Sequence, residues 1–177
     1  MLNANTLRKT AEENKKVLTL LASEHDPFSN HIVYSIEDIL KIHNYGIQRF
    51  GGSYGIQNKN LLQSVCFAPY QIVSGKEVYP TIFHKAAKYL LDFTHYEIFS
   101  DGNKRTGLLT CVTYLKQNGF SLQMSEFSAY NLVVNIARNH YSSVEEIAEI
   151  LVENVIPKVE EKIYSLEHQE NENELEM

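Results

Sequence analysis

Apolar residues recur along this chain mostly at spacings of three and four, a pattern that predicts a nearly all-helical fold. Leu7, Ala11, Val17, Leu18 and Leu21 give a one-sided helix over 6–22. The polar run 23–31, with Pro27 and His31, reads as a connector. Ser35, three residues before Asp38, suits an N-cap with an acidic first turn. Ile36, Ile39, Leu40, Ile42, His43 and Ile47 then carry a helix to about Gln48, stopped by Gly51-Gly52. Leu61, Leu62 and Val65 form the apolar face of a helix from Lys59 to Ala68. Residues 70–79 hold Ile72, Val73, Val78 and Tyr79 around Gly75-Lys76 and predict a β-hairpin, the one place where strands are expected.

A long apolar helix follows from Pro80, with Ile82, Phe83, Ala86, Ala87, Tyr89, Leu90 and Phe93 on its face. Polar residues 100–104 interrupt the pattern, and a second apolar helix runs through Leu108, Leu109, Val112 and Leu115 to Gly119. Ser125-Glu126 opens a further helix. Ser143 with Glu146 forms a capping-box pattern for a last one, from Val144 towards Tyr164, which Pro157 should kink or divide. The acidic stretch 161–177 has too little apolar surface to pack and reads as a disordered tail.

Composition narrows the function. With 177 residues, 44% hydrophobic and 21% charged, the chain suits one cooperative core. A formal net charge of -6 argues against a protein that coats nucleic acid, although it allows one local positive site. Cys66 and Cys111 sit among apolar neighbours and read as buried thiols. No secretory leader or membrane-spanning run is legible, so a cytoplasmic location is the expectation.

The candidate chemistry lies at Asp101-Gly102-Asn103-Lys104-Arg105, between two apolar helices. Glycine permits a tight turn, and the helix beyond it offers free amides and a positive dipole end to an anion. Lys104 and Arg105 add positive charge, Asp101 can hold a divalent cation, and Asn103 can orient the turn or touch a phosphate. The same residues also suit a plain interhelical turn with surface cations, and spacing alone leaves both readings open. Among the histidines, His31 and His43 read as packing or surface groups. His84 and His140 have no evident partner, and His95 alone lies within reach of the turn.

This run resembles the signature of the Fic/Doc superfamily: His, any residue, Phe, any residue, Asp or Glu, Gly, Asn, Gly or Lys, Arg. Phe99, Asp101, Gly102, Asn103, Lys104 and Arg105 fit it. Asn-Lys-Arg-Thr, with Leu108 in place of a second Arg, is similar to the death-on-curing (Doc) branch. So are Arg49 to Ile56, Asn60-Leu61-Leu62, Gly75 to Thr81 and Val144 to Ala148. The likeness covers about 32–155. It implies an all-α Fic/Doc-like domain with a hairpin flap over 31–160, flanked by an N-terminal helix and connector (1–30) and the tail.

By that resemblance the chain handles Mg²⁺-ATP and modifies a Ser, Thr or Tyr hydroxyl of a protein target, and a small antitoxin partners it. Gly102, Asn103, Lys104 and Arg105 would hold nucleotide phosphates, Asp101 the metal, and Phe99 would anchor the turn; the 72–79 segment would align the target. One departure matters. The histidine position is Glu97, a weaker base beside phosphates, so phosphoryl or nucleotidyl transfer is expected to be weakened or lost. His95 lies two residues earlier, and on a continuing helix it would point roughly 200° away. Transfer through Glu97 or His95 is the alternative. The self-inhibitory helix of many Fic proteins has no clean match: Ser142 and Glu146 have its spacing, but Ile147 follows.

Overall fold

The computed structural model describes residues 32–157. The expected helix over 6–22, the connector with His31 and the acidic tail lie outside the described residues.

Helix α1 (Ile36–Phe50) starts where predicted: Ser35 Oγ accepts from the Asp38 amide and the Asp38 carboxylate accepts from the Ser35 amide, a complete capping box. Asn58 caps α2 (Lys59–Phe67), and a short 3-10 turn, Ala68–Tyr70, takes over where Pro69 ends the α-helix. Strands β1 (Ile72–Val73) and β2 (Lys76–Glu77) form the expected antiparallel hairpin. Helix α3 (Ile82–His95) is capped by Thr81, whose Oγ1 accepts from the His84 amide, so Pro80 precedes the cap rather than opening the helix. Helix α4 covers Asn103–Gln117, α5 Glu126–Ala137 and α6 Val144–Glu153. Ser143 Oγ accepts from the Glu146 amide, while the Glu146 carboxylate reaches back to the amide of Ser142, one residue before the cap.

Helix α3 is buried almost all round and forms the centre of the domain, packed by α4, α6, α5 and the 3-10 turn. Its contact with α4 is close because position 107 is glycine. A Cβ there would lie 3.0 Å from Phe93 Cβ and 3.2 Å from the Leu90 carbonyl oxygen. Tyr34, Tyr89 and Tyr114 meet edge to face or tilted at centroid distances of 5.7–5.8 Å. Cys66 and Cys111 are free buried thiols, as read, and burial pushes them up to about 11 and about 12 respectively.

Three expectations change. Strands also occur outside 70–79: β3 (Phe120–Leu122) pairs antiparallel with β4 (Val155–Pro157), Phe120 opposite Pro157. The last helix does not run on through Pro157 but stops at Glu153. Asn154 ends it, its amide bonding the Leu151 carbonyl and its side chain the Ile150 carbonyl, and Val155-Ile156 then extend along β3. Pro157 sits at the end of that strand, where its missing N–H costs nothing. The break between α3 and α4 is wider than 100–104, running from Tyr96 to Gly102.

Lys85 is fully buried, its Nζ 2.8 Å from Glu77 Oε2 and 2.7 Å from the Tyr79 carbonyl. It ties β2 and the residues after it to α3.

Candidate active site

The α3–α4 turn is held from below by apolar groups. Ile98 and Phe99 are buried, and the Phe99 ring lies nearly parallel to His43 (3.8 Å) and to Phe93 (6.2 Å). The turn is also held from the side. Ile56 and Phe99 form an antiparallel bridge, the Gln57 and Asn58 amides bond the Ile98 carbonyl, and the Ser100 amide bonds Gly55 O. Asn103 closes the turn on itself: Oδ1 accepts from the Ile98 and Phe99 amides at 3.1 and 2.8 Å, and Nδ2 donates to the Phe99 carbonyl. Of the two expected uses of Asn103, orienting the turn is the one this geometry displays.

Gly102, at φ 75°, swings the chain into α4 without a side-chain cap. The first amides of α4 therefore have no acceptor within the helix, and the positive end of its dipole faces outward. Exposed Lys104 stands beside them. A cavity of about 460 Å³ brings His95, Glu97, Asn103 and Lys104 together against Ala137 and Asn139 at the end of α5.

The cavity alters the comparison of His95 with Glu97. Helix α3 ends at His95 and Tyr96 is extended (φ -99°, ψ 141°), so the helical rotation that would separate the two side chains does not apply. Both line the same cavity. His95 is oriented by a hydrogen bond of 2.8 Å from Nε2 to the Ile136 carbonyl. A carbonyl only accepts, so Nε2 carries the proton, and a neutral His95 has its lone pair on Nδ1.

The remaining motif residues face elsewhere. Asp101 is exposed; Oδ1 accepts from the Gly102 amide at 2.6 Å and Oδ2 from the Ser53 amide at 3.4 Å. A single exposed carboxylate fits a Mg²⁺ ion that completes its shell with water and ligand phosphates, and the described residues hold no cluster of three possible metal ligands. Arg105 is turned towards α1: one guanidinium nitrogen bonds the Gly46 and Gly51 carbonyls at 3.3 and 2.7 Å, and the group lies over the Phe50 ring. It does not line the cavity.

Three of the histidines read as unremarkable have defined partners. His43 bonds Thr106, His84 Nδ1 lies 2.7 Å from Thr81 Oγ1, and His140 lies 3.4 Å from Asn135. Burial lowers His43, against Asp101, which raises it, and with Arg105, which lowers it further. Burial likewise lowers His84, with Glu145 and Glu149 raising it and Lys85 lowering it. Both are bases with depressed values, so they contribute stability that is present above the ordinary value of 6.5 and lost as pH falls through the folded-state values. Urea midpoints should therefore be flat from pH 7 to 8 and decline below about 6, and the decline should shrink in His84→Gln.

Residues 33–115, from the start of the described chain nearly to the end of α4, match the model of the Fic/DOC family. Protein kinase doc of Escherichia phage P1 is 29% identical over 117 residues, covering 66% of this chain and 90% of the relative. Toxin Doc of Mycolicibacterium smegmatis is 34% identical over 86 residues, covering 49% of this chain and 64% of the relative. No helix among the described residues is long and apolar enough to cross a membrane. The motif turn and the hairpin both lie within the segment that is similar to the Fic/DOC family.

Proposed function

We propose that this protein binds the phosphates of a nucleotide at Asp101–Arg105, with transfer of a phosphate-bearing group to a protein hydroxyl weakened by Glu97. The observation that carries this reading is the uncapped start of α4 opening, with Lys104, on the cavity shared by His95 and Glu97. Amides of the first turn of α4 would take the phosphate oxygens, Lys104 would neutralise them directly, and Arg105 would add charge from behind while holding the end of α1. Mg²⁺ held by Asp101 would offset phosphate charge. The exposed hairpin would align a Ser, Thr or Tyr of the target by strand addition, with Ile72 and Val73 available for contact. A small antitoxin is the expected partner, and one relative is named a protein kinase.

A second reading, active transfer, is favoured by the placement of His95. The target hydroxyl oxygen would bond to a phosphorus of the nucleotide, and the phosphoanhydride P–O bond would break with its electron pair on the departing fragment. The hydroxyl proton would pass to His95 Nδ1 or to the Glu97 carboxylate.

ATP labelled in parallel on the α and γ phosphates, incubated with Mg²⁺, cell extract and protein, separates the two. Binding of ATP by the wild type with little labelling, restored by Glu97→His, is expected. Labelling from the γ phosphate alone that is lost in His95→Ala would establish an active kinase, and from the α phosphate a nucleotidyl transferase. Lys104→Ala should lower ATP affinity at least tenfold with unchanged stability, and equal affinity in that variant would overturn the phosphate-binding reading.

A further inference from the structure

Directly under the motif turn lies a buried polar pair that the proposed chemistry does not use. His43, on α1, is 2% exposed, stacks on Phe99, and places Nδ1 3.0 Å from Thr106 Oγ1. Thr106 Oγ1 in turn donates to the Gly102 carbonyl at 2.9 Å. A threonine hydroxyl has one proton, and here it is spent on that carbonyl. Its remaining lone pairs can only accept, so the His43 nitrogen facing it must carry a proton and donate.

The other ring nitrogen, Nε2, is buried with no hydrogen-bond partner among the described residues. A proton there would be an unsatisfied buried donor, which is costly. The geometry thus selects the neutral ring with its proton on Nδ1. Burial, which lowers His43, acts in the same direction, with Arg105 adding to it and Asp101 opposing it.

The pair ends on an important peptide. The Gly102 carbonyl and the Asn103 amide belong to one planar trans unit, so the carbonyl and the N–H point in opposite directions. The same carbonyl also accepts the Thr106 amide at 2.8 Å. Two bonds drawing that oxygen down into the helix aim the Asn103 N–H outward, towards the ligand. Gly102 gives this peptide its freedom, at φ 75°, and the bonds remove it again.

We infer that His43 and Thr106 are positioning residues that lock the Gly102–Asn103 peptide and so set the amide array at the start of α4 for an anionic phosphate ligand. The inference rests on the phosphate-binding reading only for its ligand; the lock itself is a property of the free protein. Neither residue touches the ligand.

The test combines a spectrum with an affinity, on the full chain. Imidazole ¹⁵N NMR of the wild type at pH 7 should show His43 protonated on Nδ1 and bare on Nε2. Thr106→Val, nearly the same shape without the hydroxyl, should move the Asn103 amide resonance, speed its exchange and weaken binding of ATP about tenfold, the loss of one well-placed donor. Thr106→Ser should restore all three. An Nε2-protonated His43 in the wild type overturns the inference, as does a Thr106→Val protein whose Asn103 amide is unchanged. If Thr106→Val does not fold, the wild-type tautomer together with the Thr106→Ser spectrum decides. If the wild type binds no ATP, the phosphate-binding reading fails, and the tautomer and Asn103 exchange still decide whether the lock exists.

Discussion

Replacing Asn103 with alanine is expected to cost about 3 kcal/mol of stability and to abolish ATP binding. The side chain makes three hydrogen bonds to the backbone of Ile98 and Phe99, both residues buried. Without it two amides and a carbonyl of partly buried backbone lose their partner. Leaving a buried donor or acceptor unpaired costs about 1–3 kcal/mol each, and partial relaxation of the turn keeps the sum near the figure given. Urea denaturation gives the stability change, and hydrogen exchange at Ile98 and Phe99 shows where it arises. Lys104→Ala supplies the contrast, losing affinity while stability stays within about 0.5 kcal/mol. Equal stability of Asn103→Ala and wild type would mean that the turn is held by its apolar residues alone.

The Lys85–Glu77 pair gives the second large effect, and the two partners should not be equivalent. Glu77→Ala strips the carboxylate from a fully buried ammonium that then has the Tyr79 carbonyl as its remaining hydrogen-bond acceptor here. Breaking a buried pair from this side costs about 3 kcal/mol. Lys85→Met removes the buried charge and fills a similar volume, leaving Glu77 partly exposed to water, so its cost should be under about 1.5 kcal/mol. The double variant should resemble Lys85→Met, because the cost of breaking the pair arises from the stranded ammonium, which both variants lack. Exchange of amides 72–78 should accelerate in all three, since each frees the hairpin from α3. A Glu77→Ala protein as stable as Lys85→Met would show that the hairpin opens and wets Lys85 at little cost.

Much of this fold was legible because its signals are local. The caps at Ser35, Ser125 and Ser143 and the apolar faces of α1 and α3 depend on residues within a turn or two of each other. The hairpin was legible from Gly75-Lys76. The β3–β4 pair was not: each strand is three residues long, and their partnership depends on the packing of everything between them. Pro157 misled for a related reason, since a proline that would break a helix is equally at home at the end of a short strand. At the site, the turn itself was legible, while the aim of its side chains was not. Arg105 turns to carbonyls of α1, and α3 ends one residue before Tyr96, which no helical pattern announces. His43 looked like core because half of its role is core packing. The other half needed Thr106, contributed by a different helix.

The cavity wall formed by the end of α5 has a consequence for how the protein comes into being. A nascent chain ending just after α4 already contains every motif residue, yet it lacks Ala137 and Asn139 and the Ile136 carbonyl that orients His95. The cavity at the turn is therefore complete only once α5 has been made and has docked. During synthesis, the half-made protein has the motif turn without the wall that the end of α5 gives its cavity.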